Sequence, residues 1–334
     1  MNEFQDESPA SRRHIPVLRD RCLELMAPAL NSPQALYVDA TLGMGGHTRA
    51  VLEAFPNVIA IGIDRDAQAL ALASERLESF GQRFRAVHTT YDNIYRVIHE
   101  AGFDGAQAIL MDLGVSSLQI DERERGFAYA HDAPLDMRMD SSAPLTAADI
   151  LNTYDEKRLA TILKTYGEER FAPRIARAIV RRREERPWER SGELVDLIRE
   201  SIPAAARATG GNPAKRTFQA LRIEVNEELD VLAHALPAAI ESLVIGGRLL
   251  VESYHSLEDR MTKVEFTRGL QSSAPPDLPI EPETHRPYLR ALTRGAEKAD
   301  ENELQSNPRS ASVRLRAIER VRPTPAHLRN GEYT

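Results

Sequence analysis

At 334 residues, 42% hydrophobic and 28% charged, the chain has the make-up of a soluble globular protein and length for one large domain or two. A single cysteine, Cys22, excludes an intramolecular disulfide and a cysteine-based zinc site, and fits a reducing, cytoplasmic setting. No apolar run is long enough to span a bilayer, and a net charge of −7 argues against nonspecific nucleic-acid binding by the chain as a whole.

In chain order, residues 1–13 are polar and mixed in charge, and read as a loose tail rather than a signal peptide. From Leu36 to Gly114, apolar runs rich in β-branched residues alternate with helical patterns. The runs are Leu36–Val38, Val58–Ile63, Phe84–Val87 and Ala108–Met111, with helices expected near Thr48–Ala54, Ala67–Glu78 and Ile94–Ala101. Continuous apolar strands separated by amphipathic helices predict a parallel sheet covered on both faces. From about 119 to 215 helices and loops replace strands. Thr153 and Glu156 suggest a capping box for a helix ending at Gly167, and further helices are expected over Glu169–Glu185 and Glu193–Ser201. The segment 209–213 breaks the chain. A long helical pattern, Thr217–Leu243, then leads through Gly246-Gly247 to a strand at Arg248–Ser253. Gln271–Pro308 reads as a long polar loop, and Ala311–Ile318 as a final strand. The expectation is a doubly wound, Rossmann-like α/β sheet interrupted by an all-helical insertion. The sheet domain would take 14–118 and 216–325, the insertion 119–215, and a tail 326–334.

The loop Asp39-Ala-Thr-Leu-Gly43-Met-Gly45-Gly46-His47 follows the first strand and opens a helix. Glycines there let backbone approach a ligand, and the helix start offers N–H groups. Asp64 ends the second strand 21 residues after Gly43, where a carboxylate can accept the ribose hydroxyls of a nucleoside cofactor. A dinucleotide fingerprint wants Gly or Ala where Thr48 stands, and no pyrophosphate would welcome Asp39. An acid at that position suits the ammonium of a methionine moiety, so S-adenosylmethionine is favoured over NAD.

Asp112-Leu-Gly-Val-Ser116-Ser117 lies at the carboxyl end of the fourth strand, where open α/β sheets bind ligands. This run, together with His14-Ile-Pro-Val-Leu, Gly45-Gly46-His47, Asp136-Met-Arg-Met-Asp140, Lys164-Thr-Tyr-Gly-Glu-Glu-Arg-Phe171, Arg216-Thr-Phe-Gln-Ala-Leu-Arg-Ile223 with Asn226, and His255-Ser-Leu-Glu-Asp-Arg260, resembles the bacterial ribosomal RNA small subunit methyltransferase H family, also called MraW. The resemblance runs from about residue 14 to 320. It implies methylation of the exocyclic N4 of one cytidine in the decoding region of 16S rRNA, within the small subunit. The cofactor contacts it implies are Gly45, Gly46, His47, Asp64, Tyr91, Asp112 and Gln119. Tyr91 stands where the family often has Phe, and Leu118 where it often has Pro. Glu252 is a further departure, a charge in an otherwise apolar strand.

Cytosine N4 is a weak nucleophile, so acceptors that hold its N–H bonds are the chemistry to look for. Asp112, Ser116 and Ser117 are the local candidates; the Pro-Pro-aromatic motif of DNA amino-methyltransferases is absent. His255 is a weaker catalytic candidate, since Ser256 and Asp259 suggest a capping box against which it would simply pack. No His/Asp/Glu spacing demands a metal. Between Lys164 and Arg190 nine Lys/Arg face five Glu, and Arg170, Arg174, Arg177 and Arg181 recur at helical spacing, a pattern suited to RNA backbone contact. A DNA or small-molecule methyltransferase and a non-catalytic nucleotide-binding assembly factor are the alternatives. Monomer and homodimer both remain open.

Overall fold

A computed structural model describes residues 15–204, 212–275 and 281–329. The expected tail at 1–13, most of the expected break at 209–213, and 330–334 fall outside them. Contacts divide the chain into two units, one running to Gly114 and resuming at Val231, the other spanning Val115–Asp230. The expected boundaries at 119 and 215 are therefore displaced. The helix Lys215–Asn226 belongs with the helical unit because Phe218, Leu221 and Val225 lie in that unit's apolar core.

The first unit is a seven-stranded sheet in the order β3-β2-β1-β4-β5-β7-β6. Its strands are β1 (Leu36–Asp39), β2 (Ile59–Asp64), β3 (Phe84–His88), β4 (Ala106–Asp112), β5 (Leu243–Ser253), β6 (Leu289–Ala291) and β7 (Arg314–Arg320). β1 to β5 are parallel, while β7 runs antiparallel to β5 and to β6. Helices α1 (Arg19–Leu30), α2 (Gly46–Ala54), α3 (Ala67–Arg76) and α4 (Ile94–Glu100) accompany the first strands. Strand side chains alternate between two apolar layers. Ile109 and Met111 of β4 join Leu249 and Val251 of β5 in one layer; Ala108, Leu110 and Leu250 join Cys22, Met26, Val51 and Leu52 in the other. By the same alternation Asp112 and Glu252 lie on the face covered by α1 and α2.

Three sheet expectations need correction. β5 starts at Leu243, because the chain re-enters the ladder before Gly246-Gly247 and accommodates them at an irregular register opposite Ala106–Ala108. The last strand starts at Arg314, since Pro308–Ser312 forms a 3-10 turn. The expected loop over 271–308 contains β6, whose three residues are too few to show an alternating pattern.

The second unit is helical: α5 (Ser117–Asp121), α6 (Ala147–Thr153), α7 (Glu156–Thr165), α8 (Ala172–Arg183), α9 (Ser191–Ser201) and α10 (Lys215–Asn226). α6 is capped by a Thr146/Asp149 box, and α7 by Asp155. The expected Thr153/Glu156 box does not form, because Thr153 sits inside α6 with its hydroxyl bonded to the Asp149 carbonyl at 2.6 Å. The long pattern over 217–243 is two helices, α10 and α11 (Glu228–Glu241), separated at Glu227 with φ of 50°. Leading up to the family-like Asp136–Asp140 run, the chain is pinned to the end of α10. The buried Asn226 amide donates to the Met137 and Arg222 carbonyls at 2.7 and 2.8 Å and accepts from the Met139 N–H at 2.7 Å. Trp188 is buried in the same unit, with its backbone bracketed by the Asn152 amide at 2.8 and 2.9 Å.

Asn226→Ala leaves buried backbone groups of Met137 and Met139 unpaired, so it is expected to destabilise the helical unit by about 1–3 kcal/mol. Urea denaturation followed by circular dichroism checks this; a change under about 0.5 kcal/mol would place the amide among surface-like contacts.

Candidate active site

The parallel registers line up acids along one rim of the sheet. Asp39 ends β1, Asp64 ends β2, Asp112 ends β4, and Glu252 lies opposite Asp112 on β5. Among the described residues none of the four pairs with a Lys or Arg.

Asp39 is buried; its Oδ2 accepts from the Thr48 hydroxyl at 2.7 Å and its Oδ1 from the Thr41 N–H at 3.3 Å. Burial nevertheless raises its carboxyl to about 7, with the Asp112 and Asp64 charges adding to the rise. Thr48 therefore has a structural use as the donor that holds Asp39. Asp64 accepts from the Gly43 N–H at 2.7 Å and the Asp66 N–H at 2.9 Å, which fixes the glycine loop to β2. Burial raises its carboxyl too, against these backbone bonds.

The glycines divide by role. Gly43 and Gly45 have φ of 50° and 73°, conformations that favour glycine. A Cβ on Gly45 would meet Leu77 at 2.9 Å and one on Gly46 would meet Pro16 at 2.7 Å. The protein's own packing thus also calls for glycine at both positions, and Gly46 opens α2. His47 follows in α2, buried, with Nε2 3.7 Å from Glu252 Oε2 and 3.9 Å from Asp112 Oδ2. Burial lowers its imidazole below the usual histidine range, so the ring is neutral.

Asp112 is the hub of the cluster. Its backbone N–H donates to the Thr41 hydroxyl at 2.7 Å, and Tyr254 Oη donates to its Oδ1 at 2.7 Å. Glu252, fully buried, accepts the Cys22 thiol hydrogen on Oε1 at 3.3 Å. Burial first, and then the Asp112 charge, pushes the Glu252 carboxyl well above the ordinary range. His47 Nε2 and Glu252 Oε2 are both buried without a geometrically proper hydrogen bond. Tyr91 opens the turn after β3 and packs its ring against the sheet's core.

Most of the remaining candidates have local structural partners. Ser116 and Gln119 form a capping box for α5, with Ser116 N–H donating to Gln119 Oε1 at 3.0 Å and Gln119 N–H to Ser116 Oγ at 3.3 Å. Ser117 is the first residue of α5. His255 caps α12 (Ser256–Leu270), and its partner is Glu258, whose carboxylate accepts from the Tyr254 and His255 N–H groups at 2.8 and 3.2 Å. The expected Ser256/Asp259 box is thus shifted by one residue, and Asp259 instead binds Arg316 at 2.7 Å. In the helical unit α8 begins at Ala172, so Arg170 precedes the helix and lies over the Phe171 ring. Arg174, Arg177 and Arg181 are exposed on α8, with Arg177 3.4 Å from Glu156. Arg183 binds the Leu151 and Tyr154 carbonyls, and Arg182 and Arg186 bind Glu193, so part of the basic run holds the unit together.

Sequence reasoning did not anticipate Thr41, Tyr254 or Cys22 as members of this site. The usable signal was Glu252 itself: an acid in an apolar strand implies partners on the neighbouring strand and on the covering helix.

The sequence profile described as "MraW methylase family" matches residues 11–321. A "Ribosomal RNA small subunit methyltransferase H" from Kocuria rhizophila is 59% identical over 96% of this chain and 98% of its own length. One of the same name from Beutenbergia cavernae is 60% identical, over 96% of each chain. The solved structure of an rRNA methylase from Streptococcus thermophilus is 12% identical, covering 92% of this chain and 99% of its own, with a TM-score of 0.43.

The raised Asp39 carboxyl has a measurable consequence. Between about pH 4 and about pH 7 the folded chain holds a proton there that the unfolded chain gives up, so stability contributed by this group falls as pH rises. Thermal melts of the cofactor-free protein across that range should slope downward with pH, and Asp39→Asn should flatten the slope; equal slopes would show that Asp39 ionises normally.

Proposed function

The chain belongs to the MraW methylase family, and from that premise we propose that it transfers a methyl group from S-adenosylmethionine to the exocyclic N4 of a cytidine in the decoding region of 16S rRNA, acting on the small ribosomal subunit. One observation carries the cofactor reading: four carboxyls gather at the rim of the sheet with no Lys or Arg among the described residues to balance them. A cationic ligand suits that field. S-adenosylmethionine brings a sulfonium and an ammonium, and supplies a methyl group already activated for transfer.

The chain's own residues bind and orient. Asp64 keeps lone pairs beyond its two backbone bonds and takes the ribose hydroxyls. Asp39 meets the ammonium, and the start of α2 with Gly45, Gly46 and His47 frames the methionine end. Tyr91 offers a ring for the adenine, and Gln119 is the contact assigned from the family pattern. Methyl transfer from the bound cofactor would leave a surplus proton on the amine, which a residue of the chain must accept. Asp112 is the acceptor we assign to the amine N–H and to that proton, through the carboxylate lone pairs that the Tyr254 hydroxyl on Oδ1 leaves open. Ser116, as a cap, and His255, paired with Glu258, are assigned to shape rather than to chemistry. Arg174 and Arg181, exposed and without ion pairs among the described residues, are the strongest candidates for RNA phosphates, with Arg170 and Arg177 beside them.

Incubating the protein with labelled S-adenosylmethionine and undermethylated small subunits, followed by nucleoside analysis, tests the reaction. Label in N4-methylcytidine is expected; label in another nucleoside would overturn the assignment. Asp64→Ala should weaken cofactor binding by about 1.5–3 kcal/mol through loss of charge-assisted bonds, read by calorimetry, and unchanged affinity in a folded variant would remove the ribose role. Replacing Arg174 and Arg181 with Gln should weaken subunit binding and reduce its salt dependence by roughly one unit of slope per lost phosphate contact, with cofactor affinity unchanged. A surviving salt slope would make the stripe a solvated face.

A further inference from the structure

Glu252 is fully buried and in register with Asp112, on the same face of adjacent parallel strands. Its Oε1 accepts from Cys22 of α1 at 3.3 Å. Its Oε2 looks toward His47 Nε2 of α2 at 3.7 Å, and the Asp112 carboxyl brings an oxygen within 4.8 Å of both side chains. No described N–H or O–H group donates to that oxygen in proper geometry. A second ionised carboxylate there would face the first with nothing between them, which is costly in a buried site. One proton on Oε2 removes the conflict, since it can be donated to Asp112 Oδ2.

We propose that Glu252 is a positioning residue, a neutral carboxyl that shares its hydrogen with Asp112 and, opposite the Tyr254 hydroxyl, fixes the plane in which the Asp112 carboxylate meets the amine. Asp112 then has one donor on each oxygen, and its remaining lone pairs keep one direction. The inference rests on Asp112 as the amine acceptor.

The groups facing Glu252 are Cys22 from α1, His47 from α2, Asp112 from β4 and Tyr254 from beyond its own strand, with Glu303 of α13 (Glu301–Ser306) adding a weaker like charge. None of these described groups is a fixed cation; Arg21 and Arg19 of α1 act on Cys22 and His47 rather than on Glu252. Burial and the neighbouring carboxylate both raise the Glu252 carboxyl, so it stays neutral through mid pH and ionises only as pH climbs through the raised value. Beyond that point Asp112 loses its donor and gains a repelling neighbour, so the chemical step slows on the alkaline side. His47, Asp112 and Glu252 also set three ligand-type atoms within 4.8 Å of one another, so a bound divalent cation in place of the shared proton is the competing outcome.

The test uses the full chain in chelator-treated buffer. The infrared difference between wild type and Glu252→Gln at neutral pH should contain the C=O stretch of a protonated carboxyl. Single-turnover methylation of subunits is then followed against pH for wild type, Glu252→Gln and Glu252→Leu. Wild type should lose rate on the alkaline side, and Glu252→Gln, which keeps a donor but cannot ionise, should not. Glu252→Leu should be slower by about tenfold at neutral pH, the worth of one charge-assisted hydrogen bond, and Glu252→Gln should recover most of that loss. Melting curves accompany each variant; if Glu252→Leu fails to fold, the infrared band and the Gln profile still decide. An absent band, an alkaline limb kept by Glu252→Gln, or a stoichiometric metal that survives the chelator overturns the inference. Asp112→Asn with an undiminished chemical step would instead sink the Asp112 assignment, independently of the Glu252 band.

Discussion

Parallel register is the constraint from which the sheet unit's chemistry follows. Pairing β4 with β5 so that Asp112 stands opposite Glu252, and β1 with β4 so that Asp39 stands opposite Leu110, puts three carboxyls on one face of neighbouring strands. Adjacent strands lie roughly 4.8 Å apart, too close for two ionised acids out of water. Shifting any strand by one residue would turn its acid to the other face and carry its whole apolar set with it. The apolar layers therefore lock the acids in place. What remains adjustable is protonation, and burial pushes the carboxyls of Asp39, Asp64 and Glu252 upward.

The helical unit distributes charge by a different logic. Its basic run looks like one patch in the sequence, yet the side chains divide into two groups. Arg182, Arg183 and Arg186 spend their donors on Glu193 and on carbonyls at the end of α6, closing the unit around Trp188. Arg174 and Arg181 stay exposed on α8, opposite the face that Ile175, Ala176 and Ile179 bury. Exposed guanidinium groups on a rigid helix keep their spacing, which is what contact with a regularly spaced phosphate chain requires.

Much of this was legible in the sequence, for physical reasons that also mark where legibility ends. β1, β2 and β4 announce themselves because an interior parallel strand is apolar on both faces, and the acids at their ends stand out against that run. β6 does not, because three residues hold no period. The capping residues were recognised by type but misplaced by one or more positions at α7 and α12, since Ser, Thr, Asp and His compete for the same role and only the entering chain decides among them. The glycine loop is legible as a backbone that can approach a ligand, but the contacts of Leu77 and Pro16 that also call for glycine at Gly45 and Gly46 are tertiary, and no local pattern encodes them. Glu252 stood out as an anomaly; its meaning depended on Cys22, 230 positions away.

A fold that buries unbalanced acids gives up stability, and that loss is recoverable. Each carboxyl kept protonated in the free protein becomes a favourable site for a cation once one arrives, so part of the electrostatic cost of folding reappears as affinity for the ligand. The Thr48 and Tyr254 hydroxyls and the Thr41 backbone N–H make the arrangement directional: they donate to the Asp39 and Asp112 carboxyls and hold them in fixed orientations without supplying a countercharge. Lysine or arginine in those positions would stabilise the free protein more and would leave nothing for a cationic cofactor to neutralise. Neutral donors around acids that lack a fixed countercharge leave the rim able to accept a cationic ligand.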